Sequence, residues 1–344
     1  QNAKALLVLN LIFFLWAMLV LLSQSWHPFW NPDSIASMEP TTAFNTAISF
    51  MTNTNLQHYS GETGASYLTQ LLVFCFLQFV SAATGIAAMA LLFRGIVQRQ
   101  ATDLGNFYVL FLKSCTRILL PISLVVAIFL VFRGTPSTFE GAAEVITLQG
   151  DTVHVARGPV APMVAIKQVG TNGGGYFGPN STHPFENPDY LTNLVENFAI
   201  LIIPIALVFA FGYYIRRPRA GYAFFAAMTF IFLAFVAVTV YFESQGNPLI
   251  TKMGIDNSAG SMEGKEVRIG PVASAFWGVS TTSTSNGSVN SMHDSQTPIS
   301  GGVYILDMMI NAIYGGVGVG FINFFVFVVI AIFISGLMVG RTPE

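Results

Sequence analysis

The chain is poor in charge, in cysteine and in nucleotide-binding motifs. Only 9% of its 344 residues are charged, with 15 Lys or Arg against 17 Asp or Glu. It has no basic patch of the size that binds nucleic acid, so nucleic acid is excluded as a partner. Its two cysteines, Cys75 and Cys115, lie in apolar segments and are interpreted as packed thiols. Neither a phosphate-binding loop ending in Gly-Lys-Ser/Thr nor an Asp-Lys-Thr-Gly-Thr motif occurs. We therefore expect no catalysis and no cofactor.

Apolar residues, in contrast, are abundant. They make up 53% of the chain, and Phe and Gly each occur 31 times, which predicts an integral membrane protein. Six stretches are long enough to cross about 30 Å of hydrocarbon: residues 5–22, 67–93, 107–132, 191–213, 222–242 and 303–338. The last is too long for one straight helix. It contains Gly315, Gly316, Gly318 and Gly320, so we predict two half-helices joined by a glycine-rich break.

Basic residues near the ends of these stretches predict the orientation of the chain. If the spans alternate, one side carries Lys4, Arg94, Arg99, Lys113, Arg117, Arg216, Arg217, Arg219 and Arg341. This side is predicted to be cytoplasmic. The opposite side then carries the long segments 23–66, 133–190 and 243–302. Within the second of them, residues 140–157 alternate polar and β-branched side chains, which predicts an external hairpin turning at Gln149 and Gly150.

Each long external segment contains a short apolar run followed by small polar residues. The polar stretches are residues 52–57 (TNTNLQ), 170–175 (GTNGGG) and 281–290 (TTSTSNGSVN). The runs before them, at 41–51, 160–167 and 271–279, are too short to cross a bilayer, so we predict re-entrant pore helices. The pattern divides the chain into three repeats of span, pore loop and span, at 1–105, 106–218 and 219–344.

The chemistry of the three loops favours a monovalent cation. Glycine allows successive carbonyls to point inward, and Asn and Thr add oxygen without fixed charge. A magnesium or calcium site would require carboxylates, and the three stretches contain none. Solvated external turns use the same residue types, but turn chemistry gives no reason for a short apolar run before every loop. A neutral-solute transporter with broken helices is a further alternative. The leading hypothesis is potassium handling by backbone carbonyls.

Several strings in the chain resemble those of a known family. They are GTNGGGYF at 170–177, NSTHPFENP at 180–188, SVNSMHDS at 288–295, GGVGVG at 315–320 and GLMVGRTPE at 336–344. They are similar to strings of the potassium-binding, channel-like subunit of the bacterial Kdp potassium-transporting ATPase, and the resemblance covers essentially the whole chain. It implies an all-α membrane protein of the superfamily of potassium transporters, built from repeated membrane-pore-membrane units. That family has four repeats, so the fourth would follow Glu344.

The resemblance also implies partners and a place in the cell. The expected partners are the catalytic P-type ATPase subunit, small accessory subunits and the lipid bilayer. The expected location is the bacterial plasma (inner) membrane, which the chain would cross several times. Potassium would be the transported substrate.

The resemblance further implies which residues form a selectivity filter. They are Asn53, Thr54, Asn55 and Gln57 from the first repeat, Thr171, Asn172 and Gly173 from the second, and Ser285, Asn286 and Gly287 from the third. Gln57 stands near the place where the other repeats have glycine. We interpret it as tuning ion affinity, and the alternative is a structural hydrogen bond to the pore helix.

Two features of the last predicted span each have two interpretations. The glycines at 315–320 are either a helix-packing face, from Gly316 to Gly320, or a loop that crosses the pore beneath the filter and gates it. The resemblance favours the gate. Asp307 either marks an ion pathway or a paired site, or lies at the external interface and caps the helix end.

Two functions remain open from the residues alone. One is a non-catalytic subunit that selects K⁺ and delivers it to an ATP-driven partner. The other is a self-contained gated potassium transporter of the same superfamily. Periodicity and loop chemistry do not separate them, and the specific strings favour the first.

Overall fold

The computed structural model of the protein describes residues 1–98 and 103–340. Arg99 and Arg341, which entered the predicted orientation, lie outside the described residues, as does the end of the string at 336–344. The described chain is helical apart from one two-stranded hairpin. Six helices are long and apolar enough to span a membrane. Five of them coincide with predicted stretches, and the sixth, Gly320–Met338, covers only the second part of the stretch at 303–338.

Ten helices carry the fold of the described residues. They are α1 (Asn2–Ser23), α2 (Pro40–Met51), α3 (Tyr67–Val97), α4 (Phe107–Phe132), α5 (Val160–Val169), α6 (Tyr190–Tyr214), α7 (Pro218–Gln245), α8 (Gly270–Ser283), α9 (Pro298–Ile310) and α10 (Val319–Met338). Shorter helical turns occupy Gln24–Trp26, Pro28–Trp30, Gly61–Gly64, Asn180–Thr182, Pro248–Lys252 and His293–Ser295. Wider π turns interrupt α3 at Gln70–Cys75 and α4 at Cys115–Leu119. The turn in α4 lies just before Pro121, whose missing N–H removes a helical hydrogen bond.

The long helices differ in how much of their surface other helices cover. The most apolar window of α3 is 67% buried, whereas that of α1 is 17% buried and that of α10 only 6%. Helix α3 therefore lies in the interior, and α1 and α10 present leucine, isoleucine and phenylalanine outward. An apolar surface that faces outward on all sides of a long helix is typical of contact with lipid.

The three predicted pore helices are confirmed as α2, α5 and α8. Helix α2 begins at Pro40, and the Glu39 carboxylate caps it by accepting hydrogen bonds from the N–H groups of Thr41 (2.9 Å) and Thr42 (3.0 Å). The Thr41 hydroxyl also donates to this carboxylate. This hydroxyl bond has the largest effect in lowering the pKa of the Glu39 carboxyl, and the two N–H bonds lower it further. Helix α8 continues to Ser283. The first residues of the third polar stretch, 281–283, are therefore helical, whereas we had predicted them to belong to the loop.

The predicted hairpin is also confirmed. Strand β1 (Ala143–Ile146) pairs antiparallel with β2 (Thr152–Val155). The turn contains Gly150 in a left-handed conformation, with φ of 92°. Its N–H donates to the Thr147 carbonyl at 3.0 Å. The turn thus lies at the predicted Gln149-Gly150 pair.

The last predicted span is broken, but not where the glycines alone indicated. Helix α9 ends at Ile310, and Asn311 adopts a left-handed conformation with φ of 42°, which stops the helix. The break segment, residues 311–318, leads to α10, which begins at Val319. Gly320 therefore lies in the first turn of α10, outside the break in which we predicted it. Because Gly316 is not helical, the alternative of a helix-packing face from Gly316 to Gly320 is wrong.

Candidate functional site: three pore loops and the glycine break

The three pore loops share one backbone conformation. Each contains a triplet whose first and third residues have positive φ. The triplets are Asn53 (65°), Thr54 and Asn55 (53°); Thr171 (48°), Asn172 and Gly173 (84°); and Ser285 (52°), Asn286 and Gly287 (88°). We call them the loop triplets. Left-handed conformations are uncommon outside glycine, so their recurrence at equivalent positions indicates a constrained, repeated feature. Asn55 takes the place of the glycine in the other triplets, because asparagine tolerates this conformation.

The triplets are also attached to their pore helices in the same way. The N–H of each middle residue donates to the carbonyl five residues earlier, at the end of the preceding helix. These bonds join Thr54 to Ser49, Asn172 to Lys167 and Asn286 to Thr281, each at 2.9 Å. The end of each pore helix therefore fixes the start of its loop.

The middle carbonyls accept no hydrogen bond from the described residues. Among the described residues, no donor contacts the carbonyl oxygens of Thr54, Asn172 and Asn286. Backbone carbonyls in a protein interior are ordinarily paired, so oxygens without a donor indicate room for a ligand or water. The neighbouring carbonyls of the second triplet are engaged: Thr171 accepts from Asn53 Nδ2 at 3.2 Å, and Gly173 accepts from Asn180 Nδ2 at 2.7 Å.

The asparagine side chains mostly join one loop to the next. Asn172 Nδ2 donates to Asn53 Oδ1, and Asn286 Nδ2 donates to the Lys167 carbonyl at 3.1 Å. The Asn286 amide oxygen accepts from the Ser288 N–H at 2.8 Å, so it serves the loop itself. Asn172 Oδ1 is buried and has no partner among the described residues. We had expected these side chains to supply ligand oxygens, and the structure uses those of Asn53 and Asn286 for loop contacts instead.

Gln57 forms a two-way contact with the second loop. Its Nε2 donates to the Gly175 carbonyl at 2.9 Å, and its Oε1 accepts from the Gly175 N–H at 2.9 Å. The expected alternative was a hydrogen bond to the pore helix. The bonds are instead made to the neighbouring repeat, where they hold the chain just after the Gly173 triplet residue.

A buried ion pair lies next to the second loop and stabilises it. Lys167 at the end of α5 and Glu186 are both fully buried, and the Lys167 ammonium contacts the Glu186 carboxylate. The other oxygen of Glu186 accepts from the Phe177 N–H at 2.8 Å, and Lys167 Nζ also donates to Ser181 Oγ at 2.6 Å. Sequence reasoning missed this pair. The available signal was a lone lysine in an apolar run followed by a glutamate in the string at 180–188.

Loops two and three touch, and a cavity lies between loops one and three. A Cβ added at Gly173 would overlap the Asn286 carbonyl, so these two triplets are in backbone contact. A cavity of about 470 Å³ separates Thr54 from the third triplet, and His293 also lines it. Burial, with the nearby Lys265 as a second cause, lowers the pKa of His293 to about 4, so its imidazole is neutral at physiological pH.

The break segment lies against the triplets. The Val317 N–H donates to Thr171 Oγ1 at 2.9 Å, and Ser285 Oγ donates to Asn311 Oδ1. Between the loops and the break is a cavity of about 120 Å³, which Asn323 of α10 also lines. The structure therefore places the break segment next to two of the three predicted filter loops.

Close backbone contacts account for the glycines of this region. The Cα atoms of Gly315 and Gly320 face each other so closely that a Cβ on either would overlap the other residue. A Cβ on Gly318 would overlap the Gly85 backbone of α3, and one on Gly316 would lie 2.8 Å from the Thr284 carbonyl. The four predicted gate glycines thus allow the break segment to pack closely against the first turn of α10, against α3 and against the third loop.

Asp307 is fully buried and lies in the last turn of α9. Its Oδ2 accepts from Thr282 Oγ1 and Ser283 Oγ, both at 2.7 Å, at the end of α8. The alternative that Asp307 caps an external helix end is wrong, because α9 begins at Pro298 and not at the predicted position 303.

Comparisons with known proteins show the family of the chain. The family model described as KdpA, Potassium-transporting ATPase A subunit, matches residues 1–344. Similar proteins include those of Flavobacterium psychrophilum (57% identical), Bacteroides fragilis (55%) and Rhodospirillum centenum (48%), each named potassium-transporting ATPase potassium-binding subunit. The matches cover 100%, 100% and 99% of this chain and 60%, 60% and 59% of those proteins. The chain thus spans about 60% of the length of these curated relatives. It is a multi-pass membrane protein that belongs to the KdpA family of potassium-transporting ATPase A subunits.

Proposed function

We propose that this chain binds K⁺ at its loop triplets and passes it across the membrane as the potassium-binding part of an ATP-driven uptake complex. The observation that carries the proposal is the set of middle carbonyls without donors, at Thr54, Asn172 and Asn286. Carbonyl oxygens can replace the water shell of K⁺, whereas Na⁺ is smaller and more strongly hydrated and recovers less from the same oxygens. The bound ion would be substrate and not a resident cofactor.

The energy for uptake would come from another subunit. This sequence has neither a phosphate-binding loop nor a phosphorylation motif, so the chain itself would be non-catalytic. The names of the relatives, each a subunit of a potassium-transporting ATPase, support a P-type ATPase catalytic subunit as partner. Small accessory subunits and a bacterial inner membrane complete the proposed setting.

We propose that the residues 1–105, 106–218 and 219–344 are repeats around one ion path. Hydrogen bonds join the first triplet to the second, and backbone contact joins the second to the third. The third and the first are separated by the cavity of about 470 Å³. A fourth pore loop, which the family resemblance implies, would complete the ring in this position.

The break segment is the proposed gate. An ion leaving the triplets would enter the cavity of about 120 Å³ that the break segment lines. A water molecule occupies about 30 Å³ of liquid, so this space suits an ion with a few waters. The hydrogen bond between Val317 and Thr171 would keep the break against the loops when the path is closed.

The test is the cation dependence of ATP hydrolysis by the full-length protein copurified with its native partners. K⁺ should stimulate hydrolysis and Na⁺ should not. In a Gln57→Arg variant the half-saturating K⁺ concentration should rise, since arginine cannot accept from the Gly175 N–H. If no ATPase copurifies and K⁺ flux through the protein alone follows the gradient, the self-contained transporter is the correct function.

A further inference from the structure

Asp307 is a buried carboxylate that the selection of K⁺ does not use. It has no solvent exposure, and it forms no ion pair with any Lys, Arg or His of residues 1–98 and 103–340. Its Oδ1 has no partner within the same residues. A buried carboxylate is costly in a membrane protein unless it is bound by donors, so a specific role is expected.

The contacts of Asp307 are concentrated on one oxygen and one neighbouring helix. Thr282 Oγ1 and Ser283 Oγ both donate to Oδ2 at 2.7 Å. Hydroxyl to carboxylate bonds of this length are charge-assisted and stronger than bonds between neutral groups. Both donors lie in the last turn of α8, the third pore helix. Asp307 therefore joins the end of α9 to the end of that pore helix.

The same end of α9 has a second attachment to the third loop. The Asn311 N–H donates to the Asp307 carbonyl at 2.8 Å, so Asn311 is attached to the last turn of α9. The Asn311 side chain in turn accepts from Ser285 Oγ. The first residue of the break segment is thus held next to the third triplet, and Asp307 fixes the helical turn from which the break departs.

We infer that Asp307 is a positioning residue that holds the break segment against the third pore loop through the Thr282 and Ser283 hydroxyls. Its carboxylate would act through these hydrogen bonds and not as an ion ligand, since both bonds point to the pore helix. The consequence for transport rests on the proposed function: a loosened α9 would let the break segment leave the loops and would let cations leak. Ion selection at the triplets would be unchanged.

Two substitutions at position 307 separate the hydrogen bonds from the charge. Asp307→Asn removes the charge but keeps an oxygen that can accept from both hydroxyls, with its NH₂ in the place of the unpartnered Oδ1. Asp307→Leu removes both bonds. The double variant Thr282→Val with Ser283→Ala removes the same bonds from the other side and keeps the carboxylate. Asp256→Asn is the matched control, because it removes one carboxylate from the exposed external segment.

The first measurement is hydrogen–deuterium exchange of peptides covering residues 311–318 in the full-length protein with its native partners. Asp307→Leu and the double variant should accelerate exchange about tenfold or more, the scale of losing a hydrogen bond to a charged group. Asp307→Asn should accelerate exchange clearly less than Asp307→Leu, because it keeps both bonds but loses their charge assistance. Asp256→Asn should stay within about twofold of wild type. Equal acceleration by Asn and Leu would overturn the inference, because the charge would then be what matters. Unchanged exchange in Asp307→Leu would overturn it as well.

The second measurement is Rb⁺ leak into proteoliposomes without ATP, together with the K⁺ concentration that half-saturates ATP hydrolysis. Asp307→Leu should raise the leak about fivefold or more and leave half-saturation within about twofold, since the triplets are intact. An equal change in half-saturation would place Asp307 in ion binding and overturn the positioning role. If wild type shows no K⁺-stimulated hydrolysis, the proposed function fails, while the exchange experiment still decides the role of Asp307.

Discussion

The hydrogen bond between Thr171 and Val317 should control how firmly the break segment is closed. Thr171 is a triplet residue, and its Oγ1 accepts from the Val317 N–H at 2.9 Å. Thr171→Val removes only this acceptor. Threonine and valine are both β-branched and nearly equal in size, so the left-handed backbone at φ of 48° is strained equally in both. Thr171→Ser is the control, because it keeps the hydroxyl.

The size of the effect follows from burial. Val317 is only 3% exposed and Thr171 only 1%, so water does not readily replace the lost acceptor. A buried N–H without a partner costs about 1–3 kcal/mol. If the open break regains water at this N–H, the closed state loses that free energy relative to the open one. The population of the open state should then rise by a factor of about 5 to 150.

The assay is Rb⁺ leak without ATP, with hydrogen–deuterium exchange at residues 311–318 measured on the same full-length complex. Thr171→Val should increase both, and Thr171→Ser should leave both near wild type. The reasoning is refuted if the valine variant exchanges and leaks at the wild-type rate while the complex remains folded. It is also refuted if serine and valine behave alike, because the hydroxyl would then be irrelevant.

Four further substitutions test three contacts around the loops. Gln57→Leu removes both bonds to Gly175, so the half-saturating K⁺ concentration for ATP hydrolysis should rise, by about tenfold for each 1.4 kcal/mol lost; an unchanged value would show that the contact does not shape the filter. Lys167→Met leaves Glu186 buried without its partner and should cost about 3–5 kcal/mol, seen as a lower Tm in detergent. Adding Glu186→Gln should recover part of that loss, and no recovery would contradict the pairing. Gly173→Asp would force a Cβ into the Asn286 carbonyl, so K⁺ over Na⁺ discrimination in ATP hydrolysis should fall; intact discrimination would remove Gly173 from the filter.

The spans and pore helices could be predicted because their signal is local. The length of an apolar run decides whether its helix crosses the bilayer or turns back within it. The helix α2 was evident from Pro40 and the apolar run after it. The end of α9 could not be predicted in this way. Asn311 stops the helix by adopting a left-handed conformation, whereas the sequence signal for a break is the group of glycines that follows it.

The contacts between loops could not be read from the sequence. Gln57 meets Gly175, and Asn53 meets Thr171, across 118 residues in each case. Such pairings depend on how distant pore loops pack against each other, and no local sequence pattern records that packing. The Thr-Asn and Ser-Asn pairs that the sequence singled out all contribute residues to the loop triplets. The amide groups of these asparagines could either bind an ion or form hydrogen bonds between loops. Only the positions of the neighbouring loops distinguish the two roles.

The proposed binding of a monovalent cation by the loop triplets can be tested most directly with Tl⁺, a K⁺ substitute with strong anomalous scattering. Crystals of the full-length protein with its native partners, grown in Tl⁺, should show an anomalous peak bounded by the carbonyl oxygens of Thr54, Asn172 and Asn286. Excess K⁺ should remove the peak, and excess Na⁺ should not. A map with no peak between these oxygens, while Tl⁺ is bound elsewhere in the same crystal, would contradict the proposed filter.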